Sequence, residues 1–380
     1  MPLTQNTVSS KRILSLDVMR GLIMILLAAE SCRIYESLYE LELPGFTGGL
    51  IRQFFHHPWH GLHFWDLVQP AFMMMAGSAM FISYYYKTQE ARPGMPSGGG
   101  ISWKQNFKHI VRRSVKLFIC GVALHCVYAG KLVWELWNVL TQLSVTTIIA
   151  YLIIRKSPVF QIIFSVALLL LTDILYRLML MPGYEQPFVS GHNFGNWMDV
   201  VLMGKTNSDG WVAINIIPTA AHTIWGVLAG KLLVTEIKTV EKIKLLLIGA
   251  AVCLLLGYGL NALNITPIIK RIATSSFVLS SAGWVLLIMA FLYWLVDIKQ
   301  WNKYASVFVA VGMNAIFIYL FFETVGSQWL NGVTAIFVKG LLGFTGMNKN
   351  IMAIFSALTT LLIEWSLCYW LYKRKIFLKL

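Results

Sequence analysis

Apolar runs of about twenty residues, separated by short polar or basic stretches, fill this chain from Ile13 onward, and that length is what a helix needs to cross a hydrocarbon core. The pattern predicts ten such helices, at 13–33, 65–86, 111–129, 136–154, 158–180, 211–233, 243–262, 273–296, 304–325 and 351–372. A further stretch, 328–346, is apolar but glycine-rich and interrupted by Lys339. It leaves open an eleventh span or a re-entrant or interfacial helix. The expected fold is an all-α integral membrane protein: a polytopic bundle of about ten transmembrane helices, one domain over residues 1–380. No internal repeat and no clear pair of broken helices is visible in the pattern.

Composition agrees with this reading. Hydrophobic residues make up 57% of the chain and charged residues 13%, against roughly 25% charged in a soluble domain. The formal net charge of +14 sits beside the apolar runs. Lys11 and Arg12 precede the first run; Lys87, Arg92, Lys104, Lys108, Arg112, Arg113 and Lys116 fill the second connection. Arg155 and Lys156 follow, then Lys231, Lys238, Lys242 and Lys244, then Lys299 and Lys303, then Lys373, Arg374, Lys375 and Lys379. Basic excess marks cytoplasmic loops. These clusters share one side only if the number of spans is even, so both termini are expected in the cytoplasm and 328–346 is expected not to cross. The charge is thereby assigned to topology, and nucleic acid is excluded as a partner.

Three smaller features fit the same picture. Cys32, Cys120, Cys126, Cys253 and Cys368 are scattered, mostly in apolar runs, with no CxxC pair, and read as buried hydrophobes. No small-residue cleavage site follows a short apolar core near the start, so the first run is expected to be retained. The PSGGG stretch, Pro96 to Gly100, is a flexible piece of the second connection.

Chemistry concentrates between the first two spans, in FFHHPWHGLHFWDLVQP, Phe54 to Pro70. His56, His57, His60 and His63 share this stretch with Trp59, Trp65 and Asp66. Imidazole changes charge nearest neutrality, and a neighbouring carboxylate fixes its tautomer and stabilises its cation. The charge bias places the stretch outside the cytoplasm. A second outer segment, 181–210, is polar, aromatic and glycine-rich, and is available to close over a substrate.

Ionisable groups in or beside spans are costly and are functional candidates by default. Here they are Asp17, Arg20, Glu30, Asp66, His125, Asp173, His222, Lys270, Arg271, Glu323 and Glu364. Asp17 and Arg20 are one turn apart, where a structural ion pair competes with a role in binding. Asp66 serves either the histidines or the first turn of the second span as a cap. Glu30 faces the same loop or merely the interface, and His222 is either a packing residue or a ligand. The His56/His60 and His60/His63 spacings suit a metal on a helix, but Pro58 and Gly61 make a regular helix there doubtful. Tryptophans serve an interfacial belt or stack on sugar rings.

Several blocks together resemble a known family: RILSLDVMRG (Arg12–Gly21), HHPWHGLHFWDLVQP (His56–Pro70), PTAAHTIWGVLAG (Pro218–Gly230), SSFVLSSAGW (Ser275–Trp284) and GMNAIFIY (Gly312–Tyr319). Their order over nearly the whole chain is similar to that of the heparan-alpha-glucosaminide N-acetyltransferase family and its bacterial relatives. The resemblance implies a transmembrane acyltransferase fold that takes acetyl-CoA from the cytoplasmic side and acetylates an amino sugar on the other. It puts the family's essential histidine on His56, the acid of its D-L-[VI]-x-P block on Asp66, and its S-[LV]-D-x-x-R-G block on Asp17 and Arg20. The chain departs from the family's pattern in three places. AAES carries Glu30 where many members have asparagine, as in a bacterial subset with an acid there; DLVQP has Gln69 where an aromatic is usual; and NVLTQLSV (Asn138–Val145) replaces VLQRI.

The expected activity is transfer of an acetyl group from acetyl-CoA to an extracytoplasmic amino sugar or related glycan, in a bacterial inner membrane. His56 acts as general base or is transiently acetylated, and Asp66 orients it. Glu30, Trp59, His60, Asp17 and Arg20 are candidate substrate contacts. Lys108, Arg112, Arg113 and Lys116 are candidates for the phosphates of CoA, and Ser275, Ser276 and Asn314 for the thioester oxyanion. No metal is expected, and a homodimer is left open. Two rivals stand beside this reading: a sugar or amino-sugar transporter using Asp17, Glu30 and Glu323, and a metal-dependent membrane hydrolase.

Overall fold

The computed structural model describes residues 13–89 and 100–378. Lys11, Arg12, Arg92, Lys379 and the PSGGG stretch as far as Gly99 lie outside the described residues. Among those described, the chain is helical with no strand. In order the helices are α1 (Leu14–Ser31), α2 (Ile34–Tyr39), α3 (Gly45–Arg52), α4 (Val68–Gln89), α5 (Trp103–Ala129), α6 (Val139–Leu152), α7 (Pro158–Leu178), α8 (Phe194–Met203), α9 (Ile216–Val234), α10 (Thr239–Ala262), α11 (Ser275–Leu292), α12 (Ala305–Gly312), α13 (Ala315–Phe321), α14 (Asn331–Leu342) and α15 (Lys349–Lys373).

Six of them are long and apolar enough to cross a membrane: Phe64–Gln89, Pro158–Leu178, Ala213–Val234, Thr239–Ala262, Ser275–Ile298 and Lys349–Lys373. A bent pair, Ala305–Gly312 with Ala315–Thr345, makes up to seven. The other apolar runs expected to span are α1, which carries Asp17, Arg20 and Glu30; α5, whose first half is basic; and the short α6.

Helix ends follow local chemistry. Ser102 and Gln105 form a reciprocal capping box at the start of α5, and Gly130, at φ +61, ends it. The start of α1 has no cap of its own. Its Leu14 and Ser15 N–H groups donate instead to the Asp297 carboxylate at 3.0 and 3.1 Å, an anion on the positive end of a helix.

Small residues let helices meet closely, the packing that holds bundles together where lipid offers no hydrophobic drive. A Cβ at Gly226 of α9 would lie 2.2 Å from the Met74 carbonyl of α4, and one at Gly77 of α4 would lie 2.1 Å from the Thr223 carbonyl of α9. α1 lies against α12 in the same way, with Gly21 on the Phe308 carbonyl.

The expected straight span 304–325 is corrected by the structure. The helix breaks after Gly312 and turns through 73° before Ala315. The apolar stretch 328–346, which holds α14, continues the run that begins at Ala315, so the pattern hid a broken pair. Asn314 stands at the break. Its side-chain amide donates to the Ile376 carbonyl at 3.1 Å and its oxygen accepts from the Leu378 N–H at 3.0 Å, which ties the break to the chain's tail. Past the break, wide π turns over Phe322–Leu330 free a carbonyl. Ser31 at the end of α1 donates to that Phe322 carbonyl at 2.8 Å.

Candidate active site

The histidine-rich stretch folds as an irregular loop between α3 and a short 3-10 turn, Phe64–Leu67, at the head of α4. Asp66 gathers it. Fully buried, it accepts the N–H groups of His57 and His63 on Oδ2, at 3.2 and 2.9 Å, and its Oδ1 lies 2.9 Å from Nδ1 of His56. Three groups from one loop thus converge on one carboxylate, which fixes loop and imidazole together. Gly61 makes the tight return. Its φ of +144 is open to glycine, and a Cβ there would meet the His57 ring at 2.5 Å.

Gly61 N–H also bonds the Ile268 carbonyl at 2.8 Å, joining the loop to the connection between α10 and α11. That connection carries Lys270, which is buried. Its Nζ lies 3.0 Å from His56 Nδ1 and 3.5 Å from Asp66 Oδ1, and sits 5.4 Å over the Trp211 ring. His56 meets the same indole edge-on at 5.5 Å.

Nδ1 holds one proton or one lone pair. With the proton on Nδ1 donated to Asp66, the ammonium of Lys270 is satisfied by Asp66 and the face of Trp211, and Nε2 keeps its lone pair. Burial and the Lys270 charge lower the His56 pKa to about 4, against the opposing pull of Asp66. Burial pulls Lys270 down to about 8, with Asp66 and Glu30 resisting. His56 is therefore a neutral imidazole at physiological pH, with its tautomer set from behind.

His56 and Lys270 open on a cavity of about 410 Å³. Glu30 of α1 and Glu323 of the π turns stand in its wall, and Tyr128 of α5 donates to Glu323 at 2.7 Å. Gln69 of α4 and Gln142 of α6 line it and are bonded to each other at 2.5 Å. Asn207, Asp209 and Trp211, on the connection between α8 and α9, line it as well. Aromatic faces, amides and carboxylates around one space suit a polyhydroxylated or amine-bearing small molecule.

The expected site residues separate into three groups. His56, Asp66 and Glu30 belong to the cavity and the network behind it. Trp59 and His60 do not line it: the Trp59 indole N–H donates to the Phe188 carbonyl at 2.7 Å, pinning the connection between α7 and α8, and His60 is exposed. Ser275 is bonded to Asp173 at 3.1 Å and Ser276 to the Pro267 carbonyl at 2.6 Å, so both hydroxyls are committed behind the wall.

The remaining expected residues lie at the other end of the bundle. Asp17 and Arg20 pair at 3.4 Å, and Arg113 is close enough to Arg20 for their charges to repel. Asp17 and Glu30 are separated along α1 by about 20 Å at helical rise. Asn314 sits near this level, since Gly312 packs on Asp17 and Gly21, and its amide is taken by the tail. Of the four residues of α5 expected at the phosphates, Lys108, Arg112 and Lys116 are exposed, and only Arg113 is partly buried. His222 packs in the core, its Nε2 shared between the Val278 carbonyl and Ser281. Among the described residues no three His, Cys, Asp or Glu side chains form a group able to hold a metal ion.

Sequence reasoning missed Lys270, Trp211 and the Gln69–Gln142 pair. Lys270 had been marked as a charge out of place, and the two glutamines as departures from a pattern. None had a partner until the fold supplied one.

Residues 12–266 match the family described as heparan-alpha-glucosaminide N-acetyltransferase, catalytic. No curated protein matches the chain.

Proposed function

We propose, from the premise that this chain belongs to the heparan-alpha-glucosaminide N-acetyltransferase family, that it moves an acetyl group from acetyl-CoA to an amino sugar or related glycan within a multi-pass bundle. The observation that carries this reading is His56, held through Nδ1 by Asp66 at 2.9 Å with Nε2 left for a cavity of about 410 Å³. An imidazole so held either takes a proton from the attacking acceptor or takes the acetyl group itself. The second route suits a ring kept neutral, since the lone pair on Nε2 is the nucleophile.

Acetyl-CoA supplies the activated acyl group when bound. Arg20 and Arg113 would hold its phosphates. The cavity end offers Lys270 as a donor to oxygen charge developing on the thioester, in place of the committed Ser275, Ser276 and Asn314. A cytoplasmic donor and an extracytoplasmic acceptor follow if α1, α5 and α6 cross together with the six longer helices and the bent pair, giving ten spans with both termini inside. The proposed location is a bacterial inner membrane. A homodimer is compatible with it.

Purified protein incubated with labelled acetyl-CoA and a panel of amino sugars tests the reading. Label is expected in the acceptor, and not with the His56→Ala variant. Uptake of labelled amino sugar into proteoliposomes lacking acetyl-CoA, with no acetylation, would replace this reading with transport.

A further inference from the structure

The cavity holds a second imidazole. His125, near the end of α5, lines it, and its Nδ1 lies 2.7 Å from Oε2 of Glu135 on the connection to α6. The other oxygen of Glu135 is ion-paired with Lys205. Both side chains are largely buried, each 15% exposed. The rings of Tyr128 and Trp137 flank the imidazole edge-on at 5.7 and 6.3 Å. The connection bearing Glu135 is itself held down, with Val133 N–H on the Cys126 sulfur and Leu136 N–H on the Met203 sulfur. His125 therefore repeats the arrangement of His56: Nδ1 tied to a carboxylate, Nε2 left over, one shared cavity.

The two pairs differ in where their cation stands. Lys270 touches Nδ1 of His56 directly at 3.0 Å, so a proton on Nε2 would put two positive charges in contact. Lys205 reaches His125 only across the Glu135 carboxylate, so a protonated His125 meets a negative group with no cation in contact, whereas a protonated His56 would meet Lys270 as well as Asp66. Charge interactions fall with separation and intervening opposite charge, and His125 is the better place to collect a proton.

We infer that His125, oriented by Glu135, is the catalytic residue that takes the proton from the acceptor, leaving His56 for the acyl group. The inference rests on the acyltransferase reading above. In the step, a bond forms between the acceptor nitrogen or oxygen and the acyl carbon. The bond from that carbon to sulfur, or to His56 Nε2 if the acyl group rests there, breaks, and its electron pair stays with the departing atom. The acceptor's proton goes to His125 Nε2; it passes on to the thiolate when sulfur departs, and is released to solvent when His56 departs as a neutral imidazole.

The test measures acceptor-dependent thiol release from acetyl-CoA by purified full-length protein, with glucosamine as acceptor, together with acetyl-CoA binding and thermal melting. His125→Ala is expected to lose about a hundredfold in kcat with binding and melting unchanged, and to regain turnover saturably on addition of free imidazole. Should the alanine variant not fold, His125→Gln, which fills the space but accepts no proton, is expected to show the same loss. Glu135→Gln is expected to lose about tenfold. A wild-type rate in His125→Ala or His125→Gln, or a slow folded His125→Ala that imidazole does not rescue, overturns the inference while the acyltransferase reading stands. No thiol release by the unaltered protein with any amino sugar overturns both.

Discussion

Lys270 Nζ lies 3.0 Å from the same His56 nitrogen that Asp66 holds at 2.9 Å from another side. A cation there raises the cost of a second proton on the ring, and the His56 pKa is lowered from 6.5 to about 4 by burial and that charge. Activity that needs neutral His56 is fully present above this pKa and is lost as pH falls through it. Replacing Lys270 by Met removes one of the lowering influences. The acid limb of kcat/KM against pH is then expected to move to higher pH; an acid limb that stays in place contradicts the pairing.

Asp66 binds in two directions, to His56 on one oxygen and to two backbone N–H groups on the other. Asp66→Asn keeps the shape but removes the charge, and its amide nitrogen must face a donor on one side or the other. A fall in transfer rate of about a hundredfold or more is expected, together with a lower melting temperature because the loop loses its anchor. Full activity in the asparagine variant would show that His56 needs no carboxylate.

Trp59 and Trp211 separate a clamp from a lining. Trp59→Phe removes the bond to the Phe188 carbonyl, a loss of about 0.5–1.5 kcal/mol, and is expected to lower stability with little change in acceptor KM. Trp211→Ala opens the cavity beside both His56 and Lys270 and is expected to raise KM for the acceptor. Equal effects from the two would erase the distinction.

The approach of α1 to α12 has its own test. A Cβ at Gly21 would lie 1.9 Å from the Phe308 carbonyl, backbone that cannot step aside. Gly21→Ala is expected to cost roughly 1–3 kcal/mol through overpacking, read as a drop in thermal stability in detergent. An unchanged melting temperature would mean that the helices sit farther apart.

Much of this architecture is written in the sequence because apolar length is a local property. The helices α4, α7, α9, α10, α11 and α15 lie where their apolar runs do. The break at Asn314 is not local. No proline marks it, and the tail meets it there, with Ile376 and Leu378 bonded to the Asn314 side-chain amide across the chain. The His56–Asp66 contact was legible because ten residues separate the two in one loop. Lys270 is 214 positions from His56, and no spacing rule connects them. The glutamine that replaces a usual aromatic, Gln69, bonds Gln142 of the other departing stretch, so two separate oddities of sequence are one feature of the cavity.

Glu30 is proposed to set what kind of acceptor the cavity prefers. It lines the same space as Glu323 and Lys270. A protonated amine would be drawn to the acids and away from the lysine, which orients an amino sugar with its nitrogen toward the carboxylates before deprotonation. Glu30→Gln removes that attraction and keeps the volume. KM for glucosamine is expected to rise about tenfold, equivalent to about 1.4 kcal/mol, while inhibition by a neutral sugar of the same size stays as it was. If both weaken together, Glu30 acts through the shape of the cavity and not through its charge.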